Sequence, residues 1–109
     1  MRLSVVVPLY NKENCIRMTL ESVKKQSFKD YEVIVVDDGS TDRSLEEARK
    51  IKSENITIIH QQNQGVSVAR NTGILHAQGQ YIAFLDADDE WEPDYLKTID
   101  HLIEKYPES

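Results

Sequence analysis

Six of the nine residues from Asp86 to Asp94 are acidic, and they begin where an apolar run at residues 81–85 stops. Carboxylates crowded at the end of a buried strand repel one another, so the arrangement calls for a compensating cation. Hard carboxylate oxygens suit Mg²⁺ or Mn²⁺, ions that commonly bridge a protein to the phosphates of a substrate. Asp86 and Asp88, two residues apart across a tight turn, can divide that task. One can bind the metal and the other a sugar hydroxyl or a metal-bound water. The competing reading is a solvated loop whose acids cap the next helix. A second pair, Asp37 and Asp38, closes another apolar run. It offers acceptors for base N–H groups or ribose hydroxyls, or else an Asx-turn and a helix cap.

Acids on separate loops can act together only if the elements beneath them share an orientation. Four apolar runs, at residues 3–7, 31–36, 56–60 and 81–85, read as strands covered on both faces. Between and after them lie four helical patterns. The first, about residues 14–25, puts Ile16, Leu20 and Val23 on one face. The second, about 42–52, uses Leu45, Ala48 and Ile51 behind the cap candidates Ser40, Thr41 and Asp42. The third, about 66–77, turns Val68, Thr72 and Leu75 inward and stops at Gly79 as its C′ residue. The fourth starts at Pro93 and buries Leu96, Ile99, Leu102 and Ile103. Alternating β and α units predict an α/β, Rossmann-like parallel sheet of about four strands with helices on both faces. Ligands of such sheets bind outside the carboxyl ends of the strands, where residues 8–12, 37–40, 61–65 and 86–89 would gather.

Composition narrows the partners. The chain has 109 residues, enough for one domain, and 39% are hydrophobic and 29% charged. No apolar run approaches the ~20 residues of a membrane span. The short run at residues 3–8 reads as a strand rather than a leader. A net charge of −6 argues against nucleic acid, which needs a basic footprint. The single cysteine, Cys15, fits a reducing cytosol and reads as a small hydrophobe on a helix. No Gly-x-Gly-x-x-Gly and no Gly-x-x-x-x-Gly-Lys-Ser/Thr occurs, so the phosphates of a nucleotide would be met by a metal rather than a glycine cradle.

Four segments together carry a resemblance: Ser4-Val-Val-Val-Pro-Leu-Tyr-Asn-Lys12, Ser27-Phe-Lys-Asp-Tyr-Glu-Val-Ile-Val-Val-Asp-Asp-Gly-Ser-Thr-Asp42, Asn63-Gln-Gly-Val-Ser-Val-Ala-Arg-Asn-Thr-Gly73 and Gly79-Gln-Tyr-Ile-Ala-Phe-Leu-Asp-Ala-Asp-Asp89. In order and spacing they resemble the N-terminal, nucleotide-binding half of a family 2 glycosyltransferase with the GT-A fold. The resemblance implies that Pro8 and Tyr10 line the nucleotide pocket and that Asp38 accepts a hydrogen bond from uracil or another base. It implies that Arg70 approaches the base or diphosphate. Asp86 would lie near the ribose, and Asp88 would hold a Mn²⁺ or Mg²⁺ ion on the diphosphate. Asp89 would support the metal residues or cap the next turn. Asn63 and Gly65 would shape the loop before the third helix. Trp91 and Tyr95 would anchor the last helix rather than stack on a sugar.

The implied activity is inverting transfer from a nucleotide sugar, a UDP-sugar by expectation, to a saccharide or lipid-linked acceptor in polysaccharide biosynthesis. The family's acceptor half and catalytic base have no counterpart within residues 1–109, which read as part of a longer catalytic domain. His60, His76 and His101 sit in no catalytic motif. A cytoplasmic location, at the membrane face in the longer protein, and pairing of two copies through an open sheet edge complete the expectations. The alternative is a non-catalytic module that binds a nucleotide sugar. A phosphorylation receiver, which also gathers acids around Mg²⁺, fits poorly because its acidic pair follows the first strand.

Overall fold

The computed structural model describes residues 1–51 and 53–106. Four strands, β1 (Leu3–Leu9), β2 (Tyr31–Asp38), β3 (Ile56–Gln61) and β4 (Tyr81–Phe84), alternate with four helices, α1 (Ile16–Lys24), α2 (Ser44–Arg49), α3 (Val66–His76) and α4 (Tyr95–Lys105). Every strand pair is parallel, in the order β3-β2-β1-β4. The expected α/β architecture is therefore present, with helices on both faces. Lys52, placed by the sequence at the end of the second helix, lies outside the described residues, as do Pro107, Glu108 and Ser109.

Two cores follow from the alternation of the central strands. Val5, Val7 and Leu9 of β1 and Val33 and Val35 of β2 face α1, α2 and α4, and pack with Ile16, Leu20, Ala48 and Leu96. Ile34 and Val36 face the other way, toward Ala69 of α3. Burial on both sides is why these strands are continuous runs of Val and Ile. Each such side chain contributes roughly 1.5–3 kcal/mol on burial. The chain passes from β1 outward to β2 and β3, then returns to lay β4 on the opposite side of β1. That reversal opens a crevice at the carboxyl ends of β1 and β4.

The third helix departs from expectation. Its inward face is Ala69 and Gly73, whereas Val68 is exposed and Leu75 is 83% exposed. Small residues let the helix lie flat on the sheet: a Cβ on Gly73 would stand 2.3 Å from Val6 Cγ1. Alanine there would gain about 1 kcal/mol of helix propensity but overpack a β-branched core residue, which costs about 1–3 kcal/mol. Because a 2.3 Å approach forces Val6 to move, the overpacking cost falls at the upper end of that range, and Gly73→Ala should lower stability by a net of about 2 kcal/mol, read by denaturant unfolding. An unchanged midpoint would contradict the close packing.

Two smaller corrections have equally local causes. The third helix ends at Ala77 in extended conformation, and Gly79 is not left-handed. Its role is close approach, since an added Cβ would lie 2.7 Å from the Leu3 carbonyl carbon and the Ser4 amide. In α4, Leu96 is buried and Ile99 and Ile103 pack on the core, but Leu102 is exposed. Ser44 and Ala48 are the buried residues of α2, and Leu45 is half-buried. The side of β4 that faces as α3 does, marked by Ile82 and Phe84, is exposed. No described helix is long and apolar enough to cross a membrane.

Candidate functional site

The crevice is a cavity of about 520 Å³, open to solvent. Pro8, Leu9, Tyr10 and Lys12 line it from the turn after β1, and Asp38 from the end of β2. Asn63, Gly65, Val66 and Ala69 form the wall at the start of α3. Asp86, Ala87 and Asp88 close it after β4. Pro8, Tyr10, Asp38, Asp86 and Asp88 thus line one cavity. Arg70 stands beside the cavity, with its guanidinium 3.7 Å from the Asp86 carboxylate and 5.8 Å from the centre of the Phe84 ring.

Asp37 and Asp38 separate because successive strand residues point to opposite faces. Asp37 is fully buried and its carboxylate meets His60 Nδ1 at 2.8 Å, away from the cavity lining. Asp38, 3% exposed, accepts from Gln61 Nε2, the Gln64 amide and the Gly65 amide, each at 2.9 Å. Burial pushes its pKa up, but these donors outweigh burial and leave it below the ordinary aspartate value. Asp38 is neither an Asx-turn nor the cap of α2. It ties the loop between β3 and α3 to the sheet. Gly39 completes this contact: its φ is +69° and an added Cβ would lie 2.6 Å from the Asn63 amide.

The opposite wall carries Asp86 and Asp88, whose side chains are 61% and 52% exposed. Each faces a cation: Lys12 Nζ lies 3.6 Å from Asp88, and Arg70 meets Asp86. Arg70 Nε is buried without a hydrogen-bond partner among the described residues. The wall is therefore mixed in charge, not purely acidic. Among the described residues no three His, Cys, Asp or Glu side chains gather into a metal cage. Mg²⁺ and its analogues take one or two carboxylates and complete their shell with water and phosphate. Two open, hard carboxylates at a cavity mouth fit an ion shared with a phosphorylated ligand.

The sequence profile of Glycosyl transferase family 2 matches residues 4–109. The chain belongs to glycosyl transferase family 2. It is 42% identical over 107 residues to the glycosyltransferase GlyA of Streptococcus pneumoniae, a match covering 96% of this chain and 15% of GlyA. Among solved structures it is similar to S. aureus TarS 1-349 in complex with UDP, at a TM-score of 0.91 and 34% identity, over 98% of this chain and 33% of that one. TarS 1-349 has also been solved with UDP-GlcNAc. The mannosyltransferase PcManGT of Pyrobaculum calidifontis, in complex with GDP-Man and Mn²⁺, superposes at a TM-score of 0.78 and 31% identity, over 83% of this chain and 28% of that one. This family 2 domain thus spans a third or less of each of these relatives, and its fold is that of their GT-A domains.

Within the domain the rim loops brace one another. Asn11, at φ +50°, accepts from the Thr41 amide at 2.8 Å and donates its own amide to Ser40 Oγ at 3.0 Å. Asp42 accepts from Ser44 Oγ, the Ser44 amide and the Glu13 amide. Burial raises the Asp42 pKa, but these bonds prevail and hold it below normal. None of His60, His76 and His101 lines the cavity. Trp91 and Tyr95 stack on each other, with ring centroids 4.4 Å apart, and Trp91 packs on the core. Cys15 is half-buried just before α1. Lys12 was missed by sequence reasoning, although a signal existed: it is the only basic residue in the four rim loops.

Proposed function

We propose that this chain is the donor-binding part of an inverting glycosyltransferase that takes a nucleoside diphosphate sugar with Mg²⁺ or Mn²⁺. One observation carries the reading: a single cavity joins a hydrogen-bonded Asp38 wall to a wall where Asp86 and Asp88 stand beside Lys12 and Arg70. The first wall suits a base and ribose, the second an ion and a diphosphate. UDP is favoured over GDP as the donor nucleotide, because TarS matches more of this chain than PcManGT does.

In this reading Pro8 and Tyr10 border the base, Asp38 holds the loop that forms its edge and presents an acceptor to it, and Asp86 meets the ribose. Asp88 takes the metal, which when bound offsets charge on the departing diphosphate. Arg70 and Lys12 turn from the carboxylates toward the phosphates. The site for the acceptor, a saccharide or lipid-linked sugar, and the base that deprotonates its hydroxyl lie in sequence outside the matched third. The same reading puts the domain on the cytoplasmic side of the membrane.

Lys12→Met should separate phosphate from base recognition. The exposed Lys12–Asp88 pair contributes at most about 1 kcal/mol to the free protein, so stability should barely change. Loss of an ammonium facing the diphosphate should weaken UDP about tenfold, near 1.4 kcal/mol, and leave uridine unchanged. Calorimetry with both ligands checks this, and equal UDP affinity would remove Lys12 from the site. For the reading as a whole, amide NMR during titration with UDP and Mg²⁺ should move Tyr10, residues 63–66 and residues 86–88. No shifts, or shifts confined to other surfaces, would overturn it.

A further inference from the structure

The inward face of α1 is half polar. Thr19 and Ser22 lie beside Ile16, Leu20 and Val23, Gln26 follows just past the end of the helix, and Thr19 and Gln26 are fully buried. Buried hydroxyl and amide groups are costly unless bonded, so their partners show what they are for. Those partners are the backbone of the segment after β4. Thr19 Oγ1 sits between the carbonyl oxygens of Ala87 at 2.9 Å and Asp89 at 2.6 Å, sharing its proton between them. Ser22 Oγ accepts from the Trp91 amide at 3.1 Å. Gln26 donates to the Glu92 carbonyl at 2.6 Å and accepts from the Leu96 amide at 2.9 Å.

We infer that Thr19 is a positioning residue for the metal–diphosphate site. Its hydroxyl grips the two peptide carbonyls on either side of Asp88 and so fixes the direction in which that carboxylate enters the cavity. The inference rests on the reading of Asp88 as the metal carboxylate. Thr19 touches neither metal nor nucleotide. It acts through the backbone, as the hydrogen-bonded supports of metal ligands commonly do, where removal costs ten- to a hundred-fold in affinity, roughly. Gln26 grips the same segment at its far end, next to α4, and serves as the internal contrast. Both are buried and both bond backbone, but only Thr19 lies beside Asp88.

The test measures Mn²⁺ binding to the full chain in the presence of UDP, by loss of the free Mn²⁺ paramagnetic resonance signal, alongside denaturant unfolding. Thr19→Val keeps the shape and removes the hydroxyl, and should weaken Mn²⁺ about tenfold or more. Thr19→Ser should stay within about twofold of wild type, because the hydroxyl remains. Gln26→Met should lower the unfolding midpoint yet leave Mn²⁺ affinity within about twofold. If Thr19→Val does not fold, Thr19→Cys, with a weaker donor, takes its place with the same expected direction. Wild-type Mn²⁺ affinity in the Thr19→Val or Thr19→Cys variant, or an equal loss in Gln26→Met, would overturn the positioning role. Failure of the wild-type chain itself to bind Mn²⁺ with UDP would instead overturn the metal assignment of Asp88, and this role with it.

Discussion

Asp88→Asn is expected to lower affinity for a nucleoside diphosphate in Mn²⁺ at least about a hundredfold, near 2.8 kcal/mol. The substitution keeps the side chain's shape but removes the charge that a hard divalent cation requires. Because the Asp88 side chain is half exposed and its pairing with Lys12 is a surface contact, folding stability should change by less than about 0.5 kcal/mol. In chelator the variant and wild type should bind the diphosphate equally weakly. A variant that still gains affinity on adding Mn²⁺ would place the metal elsewhere.

Asp38→Ala should act through the other wall and more broadly. It deprives the amides of Gln64 and Gly65 and the Gln61 side chain of one shared acceptor. Gln64 and Gly65 are exposed and Gln61 is half-buried, so water takes over part of these bonds and a stability loss of about 1–2 kcal/mol is expected. The displaced loop carries Asn63 and Gly65 of the cavity lining, so uridine should bind about ten- to a hundred-fold more weakly, while metal affinity stays within about twofold. The pH dependence has a definite sign. A carboxylate with a lowered pKa in the folded state stabilises above its unfolded value and loses that contribution as pH falls through the folded one. Wild type should therefore lose stability below about pH 4 more steeply than Asp38→Ala. Asp42, lowered in the same direction, adds to the acid loss in both proteins. Unfolding curves at several pH values give the comparison, and parallel curves would mean that Asp38 does not anchor the loop.

The sheet was legible because the middles of β1 and β2 are buried on both faces, so residues 5–7 and 33–36 are unbroken runs of Val and Ile. The rim was legible because polar residues interrupt those runs at the same strand ends. The third helix was not, since apolar periodicity selects the bulky Val68 and Leu75, whereas close packing selects Gly73 against Val6 and Ala69 against Ile34 and Val36. The choice between Asp37 and Asp38 was open to sequence reasoning in principle: alternation puts Asp37 on the face of Val33 and Val35, beneath helices. Lys12 opposite Asp88 and Arg70 opposite Asp86 depend on distances across the fold, which no local pattern encodes. Thr19, on the helix, and Gln26, just past its end, look like solvated positions until the segment after β4 is laid over them.

If the cavity holds a nucleoside diphosphate through a metal on Asp88, binding must depend on that metal. Calorimetric titration of the chain with UDP, once in Mn²⁺ and once in chelator, decides the point. Saturable one-to-one binding is expected in Mn²⁺, weakening by about two orders of magnitude, near 2.8 kcal/mol, in chelator. Equal affinity in both conditions, or no binding in either, would contradict it.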